Sequence, residues 1–132
     1  MEGISMEYLG VVVAAVASYA FGAAWYMILA KQWMEASGVT EEEVSDKNPA
    51  PFIISFVMTL LVAGMMRHAF EFAGITTPNK GLWAGFGLGA FIAAPWIITN
   101  YAFAGRSMRL MFIDGLYAII GCTIIGLILT LL

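Results

Sequence analysis

The chain has 132 residues, 61% of them hydrophobic and only 11% charged, with a formal net charge of −3. Soluble domains carry roughly 25% charged residues, so the composition argues against a soluble globular protein, and equally against disorder, collagen or a disulfide scaffold. One cysteine, Cys122, and one histidine, His68, cannot close a zinc site of the usual kind, and there is no basic block for nucleic acid. An integral membrane protein is the class that remains, with no metal and no cofactor expected.

A helix needs about 20 apolar residues to cross a bilayer core. Four stretches qualify, over residues 9–30, 52–72, 81–104 and 110–132. They predict an all-α, antiparallel four-helix membrane bundle forming a single transmembrane domain over 1–132. The first span is too long for a cleavable signal peptide, and Glu2 and Glu7 precede it rather than Lys or Arg. In the long first connection, Thr40-Glu41-Glu42-Glu43 reads as a capping box, so a short surface helix is expected there. Asn48-Pro49-Ala50-Pro51 then leads into the second span. The other two connections are short and force antiparallel neighbours.

Orientation follows from Lys and Arg. Lys31, Lys47, Arg106 and Arg109 fall on the side of connections one and three, against Arg67 and Lys80 opposite. The count predicts both termini outside, with the long connection in the cytoplasm, in a bacterial inner membrane.

Every span carries small residues at four-residue spacing. The rows are Gly10, Ala14, Ser18 and Gly22; Ser55, Thr59 and Ala63; Gly81, Gly85, Gly89 and Ala93; and Gly115, Ala118, Cys122 and Gly126. Such rows let helix backbones approach closely. They predict packing within one chain; the alternative is a subunit interface, with the glycine row of span three foremost. Pro95 should kink span three and free the carbonyl of Phe91.

Polar residues inside spans are costly and mark candidate sites. One group gathers at the end shared by connections one and three: Trp25, Tyr26, Trp33, Asn100, Arg106, Arg109, Asp114 and Tyr117. Asp114 is expected to pair with Arg106 or Arg109, with Tyr117 and Asn100 beside it. Two readings stay open: an ion-pair and amide network that pins the loop, or a small polar pocket open to the cytoplasm. Trp33 fits an interfacial aromatic belt, and it shares a face with Tyr26 if the first helix continues past Lys31. A second group, Arg67, His68 and Glu71, has helical ion-pair spacing. There Arg67 is expected to snorkel to the headgroups, the alternative being a proton relay through His68 and Glu71. No nucleophile–base pair, phosphate loop or paired catalytic carboxylates appears. Cys122 reads as a packing residue.

These residues also carry a resemblance. Phe21-Gly22-Ala23-Ala24-Trp25-Tyr26, then Lys31-Gln32-Trp33-Met34, then Gly38-Val39-Thr40-Glu41-Glu42, resembles the opening signature of the small membrane proteins called domain of unknown function 1761. Asn100-Tyr101-Ala102-Phe103 and Ile113-Asp114-Gly115-Leu116-Tyr117 are similar to that family's later motifs. Ala24 stands where Leu is common, and Met27-Ile28 replace a frequent Ser-Pro. The resemblance implies a four-span protein without an assigned activity. It supports the choice of Gly22, Trp25, Tyr26, Asn100 and Asp114. The function expected is a non-enzymatic accessory or assembly subunit, or a homo-oligomer, whose partners are lipid and other membrane subunits or itself. The alternative is a small-solute or ion transporter or channel with its site near Asp114; a membrane enzyme comes third.

Overall fold

The computed structural model describes residues 2–45 and 48–132. Lys47, counted above for orientation, lies outside them. The described residues are predominantly helical, with no strand among them. Helix α1 covers Glu2–Ile28, α2 Ala30–Ser37, α3 Glu41–Ser45, α4 Ala50–Ala73, α5 Pro78–Leu88, α6 Ala94–Phe103 and α7 Met108–Leu131. A π-helical turn, Gly89–Ala93, joins α5 to α6. Four of these segments are long and apolar enough to cross a membrane: Tyr8–Ile28, α4, the α5–α6 unit and α7. The fold is thus the expected all-α arrangement of four spans, and marks a multi-pass membrane protein.

The first helix does continue past Lys31. Leu29 interrupts it only slightly, because its N–H still donates to the carbonyl of Trp25 and its own carbonyl accepts from Trp33. Thr40 caps the short helix α3, accepting from the Glu43 N–H at 3.2 Å and donating to the Glu43 carboxylate at 3.1 Å. Gly74 and Gly105 take left-handed φ angles of 68° and 71°. Residues with a Cβ avoid that region, and the two glycines let the short loops turn at once.

Helix α7 is the centre. Half of its span is buried, against about a fifth of each of the other three. It packs on the α5–α6 unit along one side and on α1 along another, while α4 packs mainly on α1. Every row of small residues faces inward. Gly10, Ala14, Ser18 and Gly22 of α1 are all buried, and Ser18 donates a hydrogen bond to the carbonyl of Gly121 at 3.2 Å. The span-three row meets α7 backbone to backbone: Gly81 lies against Gly126 and Thr130, Gly85 against the Cys122 carbonyl, and Gly89 against Ile119. A Cβ on Gly89 would come within 2.7 Å of the Ile119 Cα. The row is therefore used within the chain, and the subunit-interface reading of it is corrected. Gly115 faces Ala94, Gly22 carries the edge of the Tyr117 ring, and the buried Cys122 packs as expected.

Pro95 leaves its mark as a π-turn. It has no N–H to offer Phe91, and its ring crowds that carbonyl in a regular helix. The backbone responds one residue earlier, where the Ala94 N–H reaches the Gly89 carbonyl five residues back. A π-turn inserts one extra residue into the helical repeat. The row facing α7 therefore runs Gly81, Gly85, Gly89 and then Ala94, which is buried, whereas Ala93 is only half-buried. The expectation that Ala93 continues the row is off by that one residue.

Substituting Gly85 by Leu should destabilise the protomer by about 3 kcal/mol, since the added side chain meets backbone that cannot yield. Gly87, with nothing near its missing Cβ, should accept Ala without loss. Thermal unfolding of both variants in detergent checks this. A Gly85→Leu protein that unfolds at the wild-type temperature contradicts the packing described.

Candidate functional site

Connections one and three meet at one end of the bundle. Ser107 caps α7 by accepting from the Leu110 N–H at 3.2 Å, and its hydroxyl donates to the Ala36 carbonyl of α2 at 2.9 Å. Arg109 and Glu35 pair across the same seam at 3.3 Å, both half-exposed. Two turns into α7, beneath this seam, lies Asp114, only 8% exposed.

The partners of Asp114 are tyrosines. Tyr26 of α1 donates to one carboxylate oxygen at 2.5 Å, and Tyr101 of α6 donates to the other at 2.6 Å. The expected arginine pairing is corrected. Arg109 is held at the surface by Glu35, and Arg106 is exposed in its loop. The reason is depth: Asp114 lies six residues into α7, about 9 Å along its axis, while both arginines stay near the mouth.

Asn100 is corrected too. It is exposed on α6, and its neighbour Tyr101 takes the inward position. The π-turn accounts for the exchange. Two helical turns beyond Ala93 would bring Asn100 onto the α7 side; two turns beyond Ala94 bring Tyr101. The sequence did hold a signal, in Pro95 and the glycines before it, but reading the phase required knowing that a full residue would be inserted.

Aromatic rings close the site. Trp25 donates its indole N–H to the Ile113 carbonyl at 3.0 Å, a second tie from α1 to α7. The Tyr26 ring lies 5.2 Å from Tyr117 and 6.4 Å from Trp33, measured between centroids. Phe21 stacks on Tyr117 at 6.3 Å and leans on Trp25 at 5.7 Å. Of the sequence-selected group, then, Trp25, Tyr26, Asp114 and Tyr117 come together with Trp33, and Asn100, Arg106 and Arg109 do not join them. Tyr101 and Phe21 are the members that residue-by-residue selection missed.

The second polar group lies at the opposite end. Arg67 and Glu71 pair along α4 at 3.4 Å, and Arg67 also donates to the Leu129 carbonyl, in the last turn of α7, at 3.2 Å. A cation there complements the negative end of the helix dipole. His68 meets Phe72 edge-on at 4.8 Å. Among the described residues no three His, Cys, Asp or Glu side chains come together as a metal-binding group.

A family model described as "Protein of unknown function (DUF1761)" matches residues 9–130. The chain belongs to this family. The match covers both groups of polar residues and all four spans, as the resemblance in the first and last motifs implied. No curated protein and no solved structure matches the chain. For this DUF1761 protein the chemistry must therefore be read from its own side chains. The feature that stands out is a carboxylate inside the bundle, satisfied by one hydroxyl from each of two neighbouring spans.

Removing the Tyr101 hydroxyl should cost about 1.5–3 kcal/mol, the range for a hydrogen bond to a charged group. Asn100→Ala should change stability by less than about 0.5 kcal/mol, as for surface substitutions. Unfolding of Tyr101→Phe and Asn100→Ala compares the two directly; the reverse ranking overturns the assignment.

Proposed function

We propose that the protein is a non-enzymatic integral membrane protein that acts by association, as an accessory or assembly subunit or as a homo-oligomer. The start of α4 supports this reading most. Residues 50–54 are exposed on every side, with Phe52, Ile53 and Ile54 at 69%, 60% and 58%. One hydrogen bond ties this stretch to α1, from the Tyr19 hydroxyl to the Phe52 carbonyl at 2.9 Å. Elsewhere the helices of this protein seat small-residue rows against one another, the mode by which membrane helices associate. A helix from another subunit, or from a second copy, would give the start of α4 the partner it lacks within the chain. The chemistry at Asp114 supports the same reading, because both carboxylate oxygens serve to join spans. No cofactor and no nucleic acid enters it; lipid covers the remaining apolar faces.

One observation favours a second reading, a small-solute or ion transporter or channel. Among the described residues no cationic group pairs with the buried Asp114, and membrane carriers use such carboxylates to exchange protons or cations. We further propose that both termini face outward across a bacterial inner membrane, from the Lys and Arg count. Cysteines at Thr40 and Asn79 in a Cys122→Ala background, labelled from outside intact cells, test this; label at position 40 reverses it.

The association reading predicts that gently solubilised protein has a mass above that of one protomer, from copies or co-purifying subunits. Phe52→Ala with Ile53→Ala should return it to the protomer mass without unfolding it. A monomeric wild type carrying no other protein contradicts the reading. Vesicle uptake abolished by Asp114→Asn would put transport in its place.

A further inference from the structure

The Arg67 end carries a groove between α1 and α4 that neither the packing nor the Asp114 cluster uses. Tyr8, Val11, Gly64, Arg67, His68 and Glu71 line a cavity of about 290 Å³. Its depth in the membrane is set by two observations. Tyr8 stands at the start of the first span, the position of interfacial aromatics. Arg67 reaches the Leu129 carbonyl, two residues from the end of α7, so its guanidinium lies near the level of the lipid headgroups. The floor is Gly64, whose missing side chain leaves open space.

The charges are paired but not exhausted. Arg67 Nε is buried 3.4 Å from Glu71 without making a hydrogen bond. Glu71 is half-exposed, and His68 is exposed at the rim. A simple anion would meet Glu71 as well as Arg67, and a simple cation would meet Arg67 as well as Glu71. A ligand with both charges close together suits both, with the cation and carboxylate one helical turn apart.

We propose that this groove binds the headgroup of a phospholipid carrying a phosphate and a primary ammonium. Arg67 and His68 donate to the phosphate, Arg67 being the side chain best suited to that oxyanion. Glu71 accepts from the ammonium. The cavity is near the lower limit of small-ligand pockets, roughly 300–1,000 Å³. That volume holds a headgroup and leaves the acyl chains in the bilayer along the apolar faces of α1 and α4. Tyr8, Val11 and Gly64 form the wall against the glycerol region.

The test is native mass spectrometry of the delipidated full chain, titrated with phosphatidylethanolamine, phosphatidylglycerol or inorganic phosphate. The expected result is one retained phosphatidylethanolamine, held about tenfold more tightly than phosphatidylglycerol, with no competition from phosphate. Gly64→Leu projects into the groove from a position whose Cβ would meet nothing within 4 Å, and should abolish retention at unchanged thermal stability. Glu71→Gln should still bind but lose the preference for the ethanolamine lipid. Equal or better binding of phosphatidylglycerol by the wild type overturns the proposal. So does undiminished retention by folded Gly64→Leu, an unchanged preference in Glu71→Gln, or displacement of the lipid by phosphate alone.

Discussion

A carboxylate within an apolar helix has to be satisfied by its neighbours, because the bilayer offers it nothing. At Asp114 the neighbours are two phenol hydroxyls, one from the first span and one from the third. This choice fixes more than one side chain. Tyr26 reaches Asp114 only if α1 presents it toward α7, and the Trp25 indole bond to the Ile113 carbonyl sets that rotation. Tyr101 reaches it only if the third span arrives with the right phase. One buried charge thereby locks three helices at one end of the molecule. Phe21, Trp33 and Tyr117 pack around the lock and keep it apolar at its margins.

The middle of the bundle is held differently. There the force is close backbone contact, with glycines of the third span set against the carbonyls and Cα atoms of α7. Membrane helices gain little from hydrophobic burial, since lipid is as apolar as leucine, so tight contact and hydrogen bonds must suffice. Both are concentrated on α7, which explains why it alone is half-buried. At the far end a cation takes over, with Arg67 joining α4 to the last turn of α7. Helix α4 gains that anchor and its packing on α1, and its opposite end is left with the least support.

Much of this was legible in the residues. The spans are read from length and apolarity alone, and the small-residue rows correctly name the faces that turn inward, Gly10 to Gly22 and Gly81 to Gly89 above all. Asp114, Tyr26 and Trp25 stood out because a membrane makes polar side chains expensive. The failures have separate causes. Pro95 announced a disturbance, but whether a helix answers with a kink or with an added residue depends on its tertiary neighbours, here the glycine contact with α7. The added residue turns Tyr101 inward and Asn100 outward. The arginines misled through charge alone: complementary sign suggested Arg106 or Arg109, while reach along α7 decided otherwise. The groove at Gly64 was legible only in its polar residues, Arg67, His68 and Glu71; its open floor was not, because a glycine facing open space and a glycine facing a helix are the same letter.

The central claim is that the π-turn at Gly89–Ala93 sets the phase by which Tyr101, and not Asn100, faces Asp114. Photo-crosslinking in native membranes addresses it without relying on stability. An azido-phenylalanine, close in shape to tyrosine, is placed at position 101 or at position 100, and the crosslinked peptides are sequenced by mass spectrometry. Position 101 is predicted to capture the segment of α7 around Asp114, and position 100 to capture lipid. Capture of that segment from position 100 and not from 101 would mean that the third span keeps a regular helical phase, and the account of the site would be wrong.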